Sequence, residues 1–209
     1  QGGKIDVLSD IFKKINIPGD RKDFVKSVVG ETTITSSQIE NNKGEKSIYK
    51  VNDDFRSETS DRFFSIISEY LNSKTVSSDS LKDLSLSNNP VTEEQIKNIA
   101  LMPKAKQYIA VSKITSDIAY FKTISKYRQA MDDLLEAMRA PGLDDVQRGV
   151  LERDYNYLKE KLERFKEERQ IYKDYNEVMA GILSESEKEN LNTIINDDGT
   201  ASYFDDSAE

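Results

Sequence analysis

The sequence predicts an all-α fold, a helical bundle dominated by a long antiparallel helical hairpin of coiled-coil character. Two long stretches, Lys104–Met138 and 145–182, repeat apolar residues every three or four positions, which places them on one helical face. Ala140, Pro141 and Gly142 interrupt the pattern between them. The composition, 36% hydrophobic and 33% charged, suits helices that have one apolar stripe and solvated remaining faces.

The first arm of the predicted hairpin carries two apolar runs. Val111, Ile114, Ile118 and Phe121 form the first run. The second run has the alternating four- and three-residue steps of a coiled-coil seam: Tyr120, Ile124, Tyr127, Met131, Leu134 and Met138. The runs join through consecutive three-residue steps, which overwind a supercoil locally. We therefore expect the seam to rotate near Phe121, so that the two halves of this arm face different neighbours.

The second arm keeps heptad spacing over its whole length: Leu151, Tyr155, Leu158, Leu162, Phe165, Arg169, Tyr172, Asn176, Met179 and Leu183. Two of these seam positions, Arg169 and Asn176, are polar. One interpretation is that the seam widens toward solvent there. The other is that the two residues fix the register or meet a polar partner, because a polar seam residue lowers stability while it specifies alignment.

The break between the arms and the next helix starts have recognisable local chemistry. Pro141 does not suit a helix interior and Gly142 permits left-handed geometry. Asp144 with Gln147 predicts a capping box for the second arm, and Thr92 with Gln95 predicts another for a helix over 93–101. A third box, Ser184 with Glu187, predicts a short helix near the C-terminal end.

The N-terminal part predicts two short amphipathic helices followed by an ambiguous segment. Apolar spacing indicates helices over about 5–15 and 20–30. Residues 32–51 fit either a small β-hairpin, with strands at 32–35 and 47–51, or a polar loop, since two short strands alone are marginal. The apolar cluster Phe63, Phe64, Ile67, Tyr70 and Leu71 predicts a further helix that begins near Thr59 or Ser60 and packs against the hairpin.

Composition shifts predict four regions along the chain. Residues 1–72 hold the N-terminal helices and the 32–51 segment, and 73–91 form a polar linker rich in Ser, Asn and Asp. Residues 92–195 hold the capped helix, the hairpin and the short C-terminal helix, and 196–209 form an acidic tail. This arrangement favours a fragment of a larger protein over a finished chain.

The residue inventory excludes several kinds of catalytic and binding site. The chain has no cysteine and no histidine, so disulfides, Cys–His zinc sites, thiol nucleophiles and Ser-His-Asp triads are excluded. The acidic segment 196–205 fits an EF-hand loop poorly, because Ile194 would occupy the first ligand position. We therefore predict no metal, no cofactor and no enzymatic activity.

The charge distribution argues against nucleic-acid binding. The formal net charge is −8, and five acidic residues in the tail account for −5 of it, which leaves −3 on the remainder. Neither part has the concentrated basic face that phosphate binding requires. We therefore expect a protein partner or self-association rather than nucleic acid.

Tyrosines in the hairpin point to a candidate partner surface. Tyr157 and Tyr175 fall off the predicted seam, and surface tyrosines favour interfaces because they bury a large area and keep a polar tip. With the seam residues Arg169 and Asn176 they form the predicted partner-binding set, although each tyrosine also fits a position flanking the core.

The function predicted from sequence is a non-enzymatic protein-interaction or structural module that presents its helical hairpin to a protein. A secreted bacterial or virion protein is favoured over a cytoplasmic one, by analogy of architecture. The alternative, which stays open, is a membrane- or lipid-interacting helical protein whose hairpin rearranges at a bilayer. That alternative has less support, because the polar faces of the hairpin carry mixed charge and no apolar segment is long enough to insert.

Overall fold

The computed structural model describes residues 3–29, 47–84 and 91–181, and this part of the chain is all-helical. Its seven helices are α1 (Gly3–Phe12), α2 (Gly19–Val29), α3 (Ile48–Ser73), α4 (Ser78–Leu84), α5 (Glu93–Ala100), α6 (Lys104–Met138) and α7 (Asp145–Ala180). The predicted all-α class is confirmed for these residues.

The helix starts follow the capping chemistry that the sequence predicts. In α5 the Thr92 side chain accepts a hydrogen bond from the Gln95 backbone N–H, and the Gln95 side chain accepts one from the Thr92 N–H. Asp144 and Gln147 form the same reciprocal pair ahead of α7. Each box satisfies two backbone donors that a helix start leaves unpaired. Gly142, between α6 and α7, adopts the predicted left-handed backbone with φ of 78°.

Helix α3 corrects two predictions. Residues 47–51 were predicted as a possible second strand, but 48–51 form the first turn of α3, and the Ser47 hydroxyl before it accepts a hydrogen bond from the Lys50 N–H. The predicted start near Thr59 or Ser60 is therefore wrong, and Thr59 is buried in mid-helix. The predicted first strand, 32–35, lies outside the described residues.

The error over α3 has a physical cause. The buried face of α3 runs at helical spacing through Ile48, Val51, Asn52, Thr59, Phe63, Ile66 and Ile67. Asn52 and Thr59 are polar, so they interrupt the apolar pattern that sequence reasoning uses to recognise a helix.

The contacts divide the chain into two compact units. Unit 1 comprises 1–51 and 123–167, and unit 2 comprises 52–122 and 168–209. Helix α6 changes from one unit to the other directly after Lys122, next to the seam rotation predicted at Phe121. The predicted boundaries at 72, 91 and 195 stay predictions, although α4 lies inside the predicted linker and its Leu84 is buried.

Each unit has its own apolar core. In unit 1 the buried side chains include Phe12, Val25, Tyr127, Leu134, Leu151, Leu158 and Phe165. The Phe24 and Tyr127 rings meet edge to face at 5.7 Å. In unit 2 the core joins α3, α5 and α6 through Phe63, Ile67, Ile96, Ile99, Ile114 and Ile118. Helices of such mixed composition therefore owe their stability mainly to tertiary burial.

Candidate functional site

The structure describes the side chain of one of the two polar residues that the sequence places on a predicted seam of α7. Arg169 is buried in unit 2, and its guanidinium is ion-paired to Asp117 of α6. The side chains are 8% and 7% exposed, and the guanidinium carbon lies 4.4 Å from the centre of the Tyr120 ring. Arg169 therefore meets a polar group within its own chain instead of solvent.

The other predicted partner-binding residues are distributed along α7. Tyr157 is 36% exposed in unit 1, with Lys161 Nζ 4.7 Å from its ring centre. Tyr175 and Asn176 are helical residues whose side chains are not among those described. The role of the four residues in partner binding stays a prediction.

Helix α7 exposes apolar side chains on the face that holds Tyr157. Val146, eleven residues before Tyr157 and thus about three turns away, falls within about 20° of it around the helix axis and is 71% exposed. In unit 2 the same helix exposes Ile171 to 70%. Tyr175 stands four residues after Ile171 in the same unit, so its backbone position falls within about 40° of Ile171 around the helix axis. We call the face of α7 that holds Val146 and Tyr157 in unit 1 the outer face of α7.

A solvent-open cleft lies between α3 and α6 in unit 2. Its volume is about 540 Å³, and it is lined by Asp53, Arg56, Ser57, Ser60, Asp61, Phe64, Tyr108, Ile109, Ser112 and Thr115. The residues from α3 repeat every three or four positions, so the cleft follows one side of that helix. The sequence analysis did not predict this site, because hydroxyl and acidic residues on a helix are typical of an ordinary solvent-exposed face.

Aromatic rings and charged groups give the cleft its chemistry. The Phe64 and Tyr108 rings lie 5.0 Å apart in a tilted arrangement, and Tyr108 is 57% exposed. Arg56 Nη1 lies 3.7 Å from Asp53 Oδ1. Among the described residues, Asp61 has no ion-pair partner. The cleft thus carries two carboxylates against one guanidinium.

Unit 1 has a charged contact of a different kind. Arg21 of α2 donates from Nε to Asp133 Oδ2 of α6 at 3.2 Å and pairs through Nη2 with Oδ1, so the contact is bidentate. Gln129 also donates to Asp133, at 3.3 Å. The hydrogen bond to Asp133 raises the pKa of Arg21 above its ordinary value, against the opposing effect of burial. This pair joins α2 to α6 within unit 1.

Two further properties bear on function. No group of three or more metal-ligating side chains occurs among the described residues. Within the same residues, none of the helices combines the length and the apolar character needed to cross a bilayer.

No protein-family model, curated protein or solved structure matches this chain.

Proposed function

We propose that this chain is a non-enzymatic interaction module that binds a protein partner through the outer face of α7. The observation that carries the proposal is the alignment of Val146 and Tyr157, both solvent-exposed, on one side of the helix in unit 1. Single exposed apolar residues are ordinary, whereas aligned ones typify the face with which an amphipathic helix enters a groove on another protein. In unit 2 the same helix exposes Ile171 and places Tyr175 one turn after it.

We further propose that α6 and α7 pack as the antiparallel hairpin predicted from sequence. Two contacts support it. In unit 1, Arg148 Nη1 donates to the Met138 carbonyl at 3.0 Å, and in unit 2, Arg169 pairs with Asp117. Both pairs are centred on residue 143 of the sequence, as antiparallel arms joined by a short connection require. Burial of Leu151, Leu158, Leu162 and Phe165 supports a coiled-coil-like seam on the inner side of α7.

Site-specific photocrosslinking tests the proposed surface. A photoreactive phenylalanine analogue at position 157 is compared with the same analogue at position 159. Lys159 is also exposed but lies about 200° around the helix, so it is the matched control. We expect one defined adduct, with another protein or with a second copy of the chain, from position 157 alone. Equal adducts from both positions, or none from position 157 in the source cells, would contradict the proposal.

Light scattering then separates the two kinds of partner. If the purified chain is a stable oligomer that dissociates when Val146 and Tyr157 are both replaced by Ser, the partner is a second copy. If the chain is a monomer, the crosslinked adduct identifies a different protein. An oligomer that the double replacement leaves intact would mean that self-association uses another surface.

A further inference from the structure

We infer that the cleft between α3 and α6 is a binding site for a basic side chain, an arginine or lysine presented by a partner polypeptide. This cleft is separate from the outer face of α7, so the inference does not rest on the function proposed above. Nothing in the sequence predicted it.

The charges of the cleft favour a cation. Of its two carboxylates, Asp53 is ion-paired to Arg56, whereas Asp61 makes no ion pair among the described residues. An incoming guanidinium or ammonium group therefore finds an unpaired carboxylate, and an anion meets net negative charge. The net charge of −8 for the whole chain adds a longer-range attraction for a basic partner.

The aromatic residues suit the same ligand. Phe64 and Tyr108 form a tilted pair at 5.0 Å, and Tyr108 is 57% exposed. An exposed aromatic face attracts a cation through its quadrupole, and a neighbouring carboxylate strengthens the selection. Ser57, Ser60 and Ser112 supply hydroxyl groups that can accept hydrogen bonds from the N–H groups of the ligand.

The size of the cleft agrees with one side chain and its flanking backbone. A volume of about 540 Å³ lies within the range of small-ligand sites, roughly 300–1,000 Å³. The cleft is open to solvent, so a side chain attached to a polypeptide can enter it. In the part of the chain that the structure describes, the cleft offers one unpaired carboxylate, that of Asp61, so it matches a single cationic group. We therefore assign the ligand to one basic side chain of a polypeptide and not to a free polyamine, whose further ammonium groups would find no partner there.

The experiment is an NMR titration of the ¹⁵N-labelled full chain with a short blocked peptide, Gly-Arg-Gly. The control peptide contains citrulline in place of arginine, which is nearly isosteric but neutral. We expect amide shifts centred on Ser60, Tyr108 and Ser112 with the arginine peptide and much weaker ones with citrulline. Equal responses to both peptides, or shifts centred elsewhere, would overturn the inference. Spermidine is the third probe, and binding to the cleft as tight as that of the peptide would overturn the assignment to a polypeptide.

Matched variants separate the cleft from general attraction to an acidic protein. Asp61→Asn and Tyr108→Ala should each weaken binding of the arginine peptide about two- to five-fold, the effect expected for one exposed ion pair or cation–π contact. Asp79→Asn removes the same charge from α4, where the Asp79 side chain is 95% exposed, and should leave the affinity unchanged. If Asp79→Asn weakens binding as much as Asp61→Asn, or if neither cleft variant weakens it, the inference fails.

Discussion

Arg169 of α7 and Asp117 of α6 form a buried ion pair, and the Tyr120 ring stacks against the guanidinium at 4.4 Å. The two residues are 52 positions apart in sequence, and both side chains are at most 8% exposed. Charged groups this far from water are tolerated when each is paired. Within unit 2 the pair connects α6 to α7, because separating the two groups would leave each charge buried without the other.

Replacing Arg169 with Ala should therefore destabilise the protein strongly. The replacement leaves the buried carboxylate of Asp117 without its ion-pair partner, so we expect a loss of about 3–5 kcal/mol in the free energy of unfolding. Urea denaturation followed by circular dichroism measures it. Arg164→Ala is the control, since Arg164 and Glu160 are 62% and 76% exposed, and it should cost under about 1 kcal/mol.

The double replacement Asp117→Leu with Arg169→Met tests what the pair contributes. Because it removes both charges and leaves apolar side chains of similar size, we expect it to recover most of the stability that Arg169→Ala loses. If instead it is as unstable as Arg169→Ala, the loss comes from packing around Tyr120 and not from the unpaired charge.

In the Arg21–Asp133 pair of unit 1, replacing the arginine should cost more stability than replacing the aspartate. The Asp133 side chain is 2% exposed and that of Arg21 is 35% exposed. Arg21→Ala removes the guanidinium from this buried carboxylate and leaves it the Gln129 hydrogen bond, and we expect it to cost about 2–3 kcal/mol. Asp133→Asn leaves an arginine that can turn to solvent and should cost less. Thermal unfolding of both variants gives the order, and equal losses would contradict this explanation.

The pH dependence of the Arg21–Asp133 pair follows from the raised pKa of Arg21. A folded-state pKa above the unfolded value gives stabilisation that is complete below the unfolded value and is lost as pH rises through the folded value. Both values lie far above neutrality, so the cost of Arg21→Ala should be constant from about pH 7 to 10. A cost that falls steadily across this range, in denaturation curves measured at each pH, would contradict this assignment.

Replacing Gly142 and Gly149 with alanine should change the stability of the protein in opposite directions. Gly142 has φ of 78°, where an alanine is strained by about 1–2 kcal/mol, although a Cβ there would meet nothing closer than Lys14 Nζ at 3.9 Å. Gly149 lies within α7 with nothing within 4 Å of an added Cβ, so Gly149→Ala should stabilise by about 0.5–1 kcal/mol. Melting temperatures of the two variants check both signs. A stabilising Gly142→Ala would show that the left-handed turn is not required.

The outer face of α7 should be dispensable for folding. Val146 is 71% exposed, so Val146→Ser should change the free energy of unfolding by no more than about 0.5 kcal/mol. Leu158→Ser, on the buried side of the same helix, should cost several kcal/mol, because it removes packed apolar volume and buries a hydroxyl. Chemical denaturation of the two variants measures the contrast, and similar losses would remove the distinction between the faces.

Local chemistry made most helix positions predictable. The caps at Thr92 and Asp144, the turn at Gly142 and the apolar repeat of α7 depend on residues within a few positions of one another. The first turns of α3 were not predicted as helix, because Asn52 and Thr59 are polar although they are buried. Their burial depends on what packs against them, which no local pattern records.

The sequence by itself determined the helical class of the described residues, the starts of α5 and α7, and the absence of cysteine and histidine chemistry, since these follow from residue type and short spacing. Only the tertiary structure decided that Arg169 meets Asp117 and that Arg21 meets Asp133, 112 residues away. It alone also placed Asp61 beside the Phe64–Tyr108 pair in the cleft of unit 2. A charged residue on a helix has the same local pattern whether it faces water or a partner, so only the packing of other helices distinguishes the two.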